Sequence, residues 1–270
     1  MNIQEKLTAA LSAVKEKSPL VHHLTNYVTV NDCANITIAI GASPVMADEL
    51  SEVEEMVSIA SALVLNIGTL NSRTIESMLA AGKKAKSLGI PIILDPVGVG
   101  ATTLRTKTAQ RIIEEVQPTV IRGNMSEIKV LAGLDVKTKG VDSVASEENA
   151  EIITKKLATE WNCIIAITGK TDIVSNGKQV CRIDNGHRML SDVSGTGCMS
   201  TSLIGSYCGA NQDYLTATVA GIASMGLAGE LAQQSLTPDE GIGTFKIHLL
   251  DKIYNLTPES LAKGCKVTCE

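Results

Sequence analysis

The stretch Ile90-Pro91-Ile92-Ile93-Leu94-Asp95-Pro96-Val97-Gly98-Val99-Gly100 decides the fold. A short apolar run is followed at once by a carboxylate, a proline and glycines, which is how a strand buried on both faces and ending in a turn reads. Comparable runs stand at Ala62 to Ile67, Thr119 to Ile121 and Cys163 to Ile167. Each leads through a turn signal into a helix-like segment, such as Asn71 to Ser87 or Thr108 to Val116. Strands that alternate with helices in this way lie parallel and are joined by crossover helices. The expected fold is therefore α/β, a mostly parallel central sheet with helices on both faces.

Upstream, Ile3, Leu7, Leu11 and Val14 recur at helical spacing before Pro19, which predicts an amphipathic opening helix. Downstream, Asp172 to Ser175 and Gln179 to Ile183 flank Asn176-Gly177-Lys178, which predicts an antiparallel hairpin at one edge of the sheet. Helices are expected near Cys198 to Tyr207, Asp213 to Gln233 and Thr244 to Tyr254. No linker or block of like charge divides the 270 residues, so one domain spanning 1–270 is expected. Lys137 to Glu148 reads as a polar loop leading into a helix.

The net charge of −5 offers no positive field for a nucleic-acid backbone or an anionic membrane, and at 2% aromatic content stacking platforms for single strands are missing. Seven scattered cysteines and the lack of a basic-then-apolar leader point to a reducing cytoplasm. Cys265 and Cys269 have no second pair or nearby histidine, which argues against zinc. No uninterrupted apolar stretch is long enough to span a bilayer.

In open parallel sheets ligands gather outside the carboxyl ends of the strands, so the residues just after each apolar run carry the chemistry. Asp95 is placed to hold a hydrated Mg²⁺, although alone it could equally cap a turn. The following Gly98-Val99-Gly100 is not a dinucleotide loop, because Thr103 stands where the third glycine belongs. In Arg122-Gly123-Asn124-Met125-Ser126-Glu127, Arg122 offers a donor fork for phosphate oxygens and Glu127 could meet a metal or its water. Asn124 with Glu127 three residues on also reads as a capping box, and one helix start can serve both purposes. Thr168 offers a hydroxyl at a strand end. The Gly169-Lys170-Thr171 after it is not a P-loop, since Ile164 stands where the earlier glycine is required.

The strongest of these places is Asp192-Val193-Ser194-Gly195-Thr196-Gly197-Cys198, leading into a helix. Backbone N–H groups at Gly195, Thr196 and Gly197 can converge on one anion, and the helix dipole favours negative charge there. Cys198 is placed where a helix N-terminus lowers a thiol pKa, the alternative being a buried structural cysteine. Near the N-terminus, His22 to Asn31 mixes polar with apolar groups as a substrate pocket does, and the two adjacent histidines would face opposite sides of a strand. Met46, in Gly41 to Ala47, could supply a thioether wall.

Asp95-Pro96-Val97-Gly98, Asn124 to Glu127, Thr168-Gly169 and Gly195-Thr196-Gly197, in this order, resemble the ribokinase-like superfamily. More narrowly, Thr25-Asn26-Tyr27-Val28, Gly41-Ala42-Ser43-Pro44-Val45-Met46 and Gly195-Thr196-Gly197-Cys198 are similar to the hydroxyethylthiazole kinase family, over about His22 to Gly243. The resemblance implies a three-layer sandwich that moves the γ-phosphate of ATP onto the hydroxyl of 4-methyl-5-(2-hydroxyethyl)thiazole, a step toward thiamine. It implies that Met46, Gly195 and Asn26 meet the thiazole, Arg122 and Thr168 the nucleotide, and Asp95 and Glu127 Mg²⁺. Cys198 takes the catalytic place, where the wider superfamily has aspartate. It also implies a homotrimer with thiazole sites between subunits. The rivals are a repair dehydratase of the same superfamily and a non-catalytic thiazole or nucleotide sensor. The thiazole-type motif near Asn26 and Met46 argues against the first, and the retained Asp95, Glu127 and anion-hole loop against the second.

Overall fold

The structure is a computed structural model in which residues 1–134 and 143–270 are described. The polar stretch read over Lys137 to Glu148 falls outside them, except that a helix begins at Ser143. Among the described residues nine strands form one sheet: β1 (Leu20–Leu24), β2 (Ser43–Val45), β3 (Ala62–Asn66), β4 (Ile92–Asp95), β5 (Val120–Asn124), β6 (Ile164–Thr168), β7 (Asp172–Ser175), β8 (Val180–Ile183) and β9 (Val267–Cys269). Their order is β2-β1-β3-β4-β5-β6-β7-β8-β9. The first six are mutually parallel, and the β6–β7, β7–β8 and β8–β9 pairs are antiparallel.

One face carries α1 (Ile3–Lys17), α2 (Val30–Ile40), α9 (Thr196–Ala210), α10 (Tyr214–Gln234), α11 (Ile242–Tyr254) and α12 (Pro258–Gly264). The other carries α3 (Val53–Ile59), α4 (Ser72–Leu88), α5 (Thr103–Val116), α6 (Met125–Leu131) and α7 (Ser143–Glu160). The remaining turn of helix is α8 (Met189–Asp192). The strands divide their side chains strictly: Ala62 and Val64 of β3 join the first layer, Leu63 and Leu65 the second. In β6, Ile164 and Ala166 face one way, Ile165 and Ile167 the other. This period of two between two apolar layers makes each strand read as a continuous apolar run. Among the described residues, α10 alone is long and apolar enough to cross a membrane, and it is mostly buried against its neighbours.

Two expectations need correction. The β7–β8 hairpin is not the edge of the sheet, because β9, from the polar tail, pairs outside β8. That strand is only three residues long, too short for alternation to reveal it. The cysteines are not all free: Cys181 of β8 and Cys269 of β9 face each other across this ladder and form a disulfide. Their separation of 88 residues hid the pairing from any reading of spacing.

From β1 the chain moves outward to β2 and then returns to the other side of β1 as β3, so the carboxyl ends of β1 and β3 flank a reversal of strand order. Crevices for ligands open at such points in parallel sheets. Asn26 follows β1 and Asn66 ends β3 at this rim.

Candidate active site

Most of the residues expected to carry chemistry stand at the carboxyl ends of successive strands, with the start of α9 laid across them. Asp95 closes β4 and is 1% exposed. One carboxylate oxygen, Oδ2, accepts hydrogen bonds from Asn66 Nδ2 at 2.8 Å and Thr201 Oγ1 at 2.9 Å. The other, Oδ1, is buried without a hydrogen-bond partner, and the Arg122 guanidinium stands 3.9 Å away. Burial pushes this carboxyl up to about 6, although Arg122 pulls the other way. Arg122 also leaves its Nε buried and unpartnered.

Among the described residues the buried side-chain atoms without a partner are His22 Nδ1, His23 Nε2, Thr25 Oγ1, Asp95 Oδ1 and Arg122 Nε. All belong to β1, β4 and β5 or the residue after β1. Orphaned buried polar groups are costly, and each calls for a reason such as a catalytic role or a bound ion or water.

Asn124 and Glu127 form the reciprocal capping box of α6: Glu127 N–H donates to Asn124 Oδ1 and Asn124 N–H to Glu127 Oε2, each at 2.9 Å. Glu127 Oε1 accepts a third bond, from Gly98 N–H at 2.9 Å, which fastens the loop after β4 to this helix start. A carboxylate oxygen has two lone pairs, so each still has room for another partner.

Gly195 caps α9 with φ +91°, and a Cβ there would lie 2.6 Å from Thr29 Cγ2. A Cβ on Gly197 would lie 2.9 Å from Arg122 Nη1. Glycine at these two places lets the helix start come down onto the strand ends. The first N–H groups of α9 have no acceptor within the helix and open onto the crevice. Arg122, Thr168, Thr196 and Gly197 line one cavity of about 570 Å³, together with Asp172, Asn185, His187 and Arg188. Asp172 is pushed up to about 6, chiefly by burial. The Thr168 to Asp172 segment is a turn between antiparallel strands, closed by Gly169 N–H onto Asp172 Oδ1, and no helix follows as a P-loop requires.

Cys198 occupies the first turn of α9, and its Sγ accepts from Asn26 Nδ2 at 3.4 Å and Asn66 Nδ2 at 3.3 Å. The expectation of a lowered thiol pKa is corrected: burial, followed by the nearby Asp95 charge, pushes it up, and these outweigh the donors from Thr29, Asn26 and Asn66. Met46 follows β2 at the outer end of the rim and is not among the residues lining the cavity. Its neighbour Ala47 is held through its carbonyl by His22 Nε2 at 2.6 Å.

Asn66 was hidden from the sequence because it counts as part of the apolar run Ala62 to Ile67. Its signal is the one that exposed Asp95, a polar side chain at the last place of a buried strand. Asp172, Asn185, His187 and Arg188 gave no signal, because only the folding of the hairpin and α8 brings them to the cavity.

Comparison with known proteins agrees with this geometry. The family model described as Hydroxyethylthiazole kinase family matches residues 11–259. The chain is 54% identical over 268 residues to a hydroxyethylthiazole kinase of Alkaliphilus oremlandii, covering 99% of each. The solved structure of a hydroxyethylthiazole kinase protein from Pyrococcus horikoshii OT3 superposes with a TM-score of 0.89 at 38% identity, over 98% of this chain and 99% of that one. Pyridoxal kinase from Staphylococcus aureus, solved in complex with pyridoxal, shares the fold alone, with a TM-score of 0.56 at 15% identity over 77% of this chain and 86% of that one.

Proposed function

This chain belongs to the hydroxyethylthiazole kinase family, and from that premise we propose that it transfers the γ-phosphoryl group of ATP to the primary hydroxyl of 4-methyl-5-(2-hydroxyethyl)thiazole. The product serves thiamine synthesis. The observation that carries this reading is the buried Asp95 with its unpartnered Oδ1, set between Arg122 and the start of α9 beside a cavity large enough for a nucleotide. Loose phosphoryl transfer needs positioning and charge stabilisation more than covalent help from the protein, and this rim offers both.

ATP occupies the cavity between the hairpin turn and α9, with Arg122 and Thr168 toward its phosphates and sugar. The N–H groups of Gly195, Thr196 and Gly197 receive the moving phosphoryl group as an anion hole. Asp95 and Glu127 fit Mg²⁺: Asp95 Oδ1 is free, Glu127 keeps lone pairs, and such an ion takes one or two carboxylates together with substrate phosphates. When bound, Mg²⁺ neutralises charge on the β- and γ-phosphoryl oxygens. The thiazole lies on the β1–β2 side, against Asn26, Met46 and Gly195.

The alcohol oxygen forms the new bond to phosphorus as the bond to the β,γ-bridging oxygen breaks, and ADP leaves with that electron pair. The alcohol proton passes to Cys198 Sγ in its thiolate form. Because the thiol is pushed up, this form is a minor one at neutral pH, and transfer relies on the small degree of deprotonation that a loose transition state demands.

Tyr27 and Val28, directly after Asn26, are 78% and 62% exposed. Large apolar side chains presented beside a substrate crevice support a homotrimer whose thiazole sites lie between subunits. We read the chain as one domain, since a single sheet runs through it, and as a cytoplasmic enzyme. The test is ADP release with Mg²⁺ and ATP in the presence of hydroxyethylthiazole, compared with other small alcohols. Release that depends on the thiazole is expected, and equal release with every alcohol or with none overturns the assignment.

A further inference from the structure

Both hydrogens of one buried amide bind the two ends of the reacting site. Asn66 is 1% exposed at the end of β3, and its Nδ2 donates to Asp95 Oδ2 at 2.8 Å and to Cys198 Sγ at 3.3 Å. Its Oδ1 accepts from Gly68 N–H and from Asn26 Nδ2, each at 2.9 Å. Asn26 uses its second hydrogen on the same sulfur, and its own Oδ1 is held by the backbone N–H and the hydroxyl of Thr29, each at 3.1 Å. Every donor of the two amides is thus engaged. Turning over the Asn66 amide would set its oxygen against the Asp95 carboxylate and its N–H groups against the donors of Gly68 and Asn26.

Neither amide lies in the wall of the cavity read as the nucleotide site. The network therefore meets the nucleotide side only through Asp95, and what it fixes is the position of the sulfur relative to that carboxylate. We propose that Asn66, supported by Asn26, is a positioning residue that acts through Cys198, locking Sγ at a set distance from Asp95 and aiming N–H donors at the sulfur as negative charge grows there. This rests on the reading of Cys198 as the proton acceptor. A displacement of about 1 Å in such a group costs on the order of 10²-fold in rate, so the effect falls on turnover and not on ligand affinity.

The experiment is a mutant cycle of Asn66→Ala, Cys198→Ala and the double variant, with kcat and KM for both substrates and calorimetric ATP affinity for each. Asn66→Ala is expected to lower kcat roughly 10- to 100-fold while ATP affinity and both KM values stay within about threefold. In the Cys198→Ala background the same change should cost little more, since residues that act as a unit are non-additive. Asn66→Ser keeps a hydroxyl donor, should fall between wild type and Asn66→Ala, and carries the test if the alanine variant does not fold. Losses that multiply in the double variant, or ATP affinity that falls in step with kcat, overturn the role of Asn66. Full turnover by Cys198→Ala overturns instead the reading of the thiol as acceptor.

Discussion

The nearest guanidinium nitrogen of Arg122 stands 3.9 Å from the buried carboxylate of Asp95, close enough to feel its charge and too far to hydrogen-bond. Asp95 is raised to about 6, chiefly by burial, and so ionised at neutral pH at a cost to the fold.

The consequence is a trade between stability and activity at Asp95. Its folded pKa lies above the ordinary carboxylate range, so the protonated form suits the fold, and that stabilisation is present at low pH and lost as pH rises through about 6. Asp95→Asn should therefore melt higher than wild type at pH 8, by roughly 2–4 °C per kcal/mol gained, with the advantage vanishing below about pH 4. Its turnover should fall at least ~100-fold. Wild-type turnover should decline as pH drops through about 6, as Asp95 takes up its proton. A lower melting temperature at pH 8 would contradict the account.

Arg122→Ala should raise the KM for ATP about 10- to 100-fold and that for the thiazole less than about threefold, because Arg122 lines the cavity proposed for the nucleotide. Arg122→Lys should restore only part, since an ammonium lacks the planar fork. Initial-rate kinetics with each substrate varied in turn will show it, and equal losses for both would count against the placement of ATP.

The two glycines of the α9 entry should respond differently. Gly195→Ala combines a left-handed backbone with a Cβ 2.6 Å from Thr29 Cγ2, and should cost roughly 1–3 kcal/mol in urea unfolding as well as turnover. Gly197→Ala meets only the end of the flexible Arg122 side chain, and should weaken ATP binding with little loss of stability. Similar unfolding midpoints for the two variants would be inconsistent with this reading.

The alternation of buried strands with helices was legible because strands covered on both faces are apolar throughout; Asp95, Arg122 and Thr168 were found by looking just beyond them, and Gly195 to Cys198 from two glycines at a helix start. The short β2 and β9 carry too few residues for a period to register, which concealed the true edge of the sheet and the Cys181–Cys269 link. The direction of the Cys198 shift was misread for another reason. A helix N-terminus is visible in sequence, whereas the Asp95 charge beside the thiol and the depth of its burial exist only after folding.

Oligomeric state gives an independent check. Light scattering should report a trimer for the wild type, and Val28→Asp, placing a charge on the exposed apolar pair Tyr27–Val28, should yield smaller species. That variant should lose affinity for the thiazole and retain it for ATP. A fully active wild-type monomer at micromolar concentration would remove the shared site.

The most direct measurement is the initial rate of thiazole-dependent ADP formation by wild type, Cys198→Asp and Cys198→Ala across pH 6 to 10. The wild-type rate should climb with pH beyond the ordinary thiol range of about 8.5, because burial and Asp95 push the Cys198 thiol up. Cys198→Asp places an anionic acceptor under the same Asn26 and Asn66 donors, and should keep or raise the rate at pH 7 with a flatter profile. Cys198→Ala should lower turnover while leaving ATP affinity nearly unchanged. Full turnover by Cys198→Ala throughout that range would contradict the account, reducing the sulfur to packing and leaving catalysis to the anion hole and the metal.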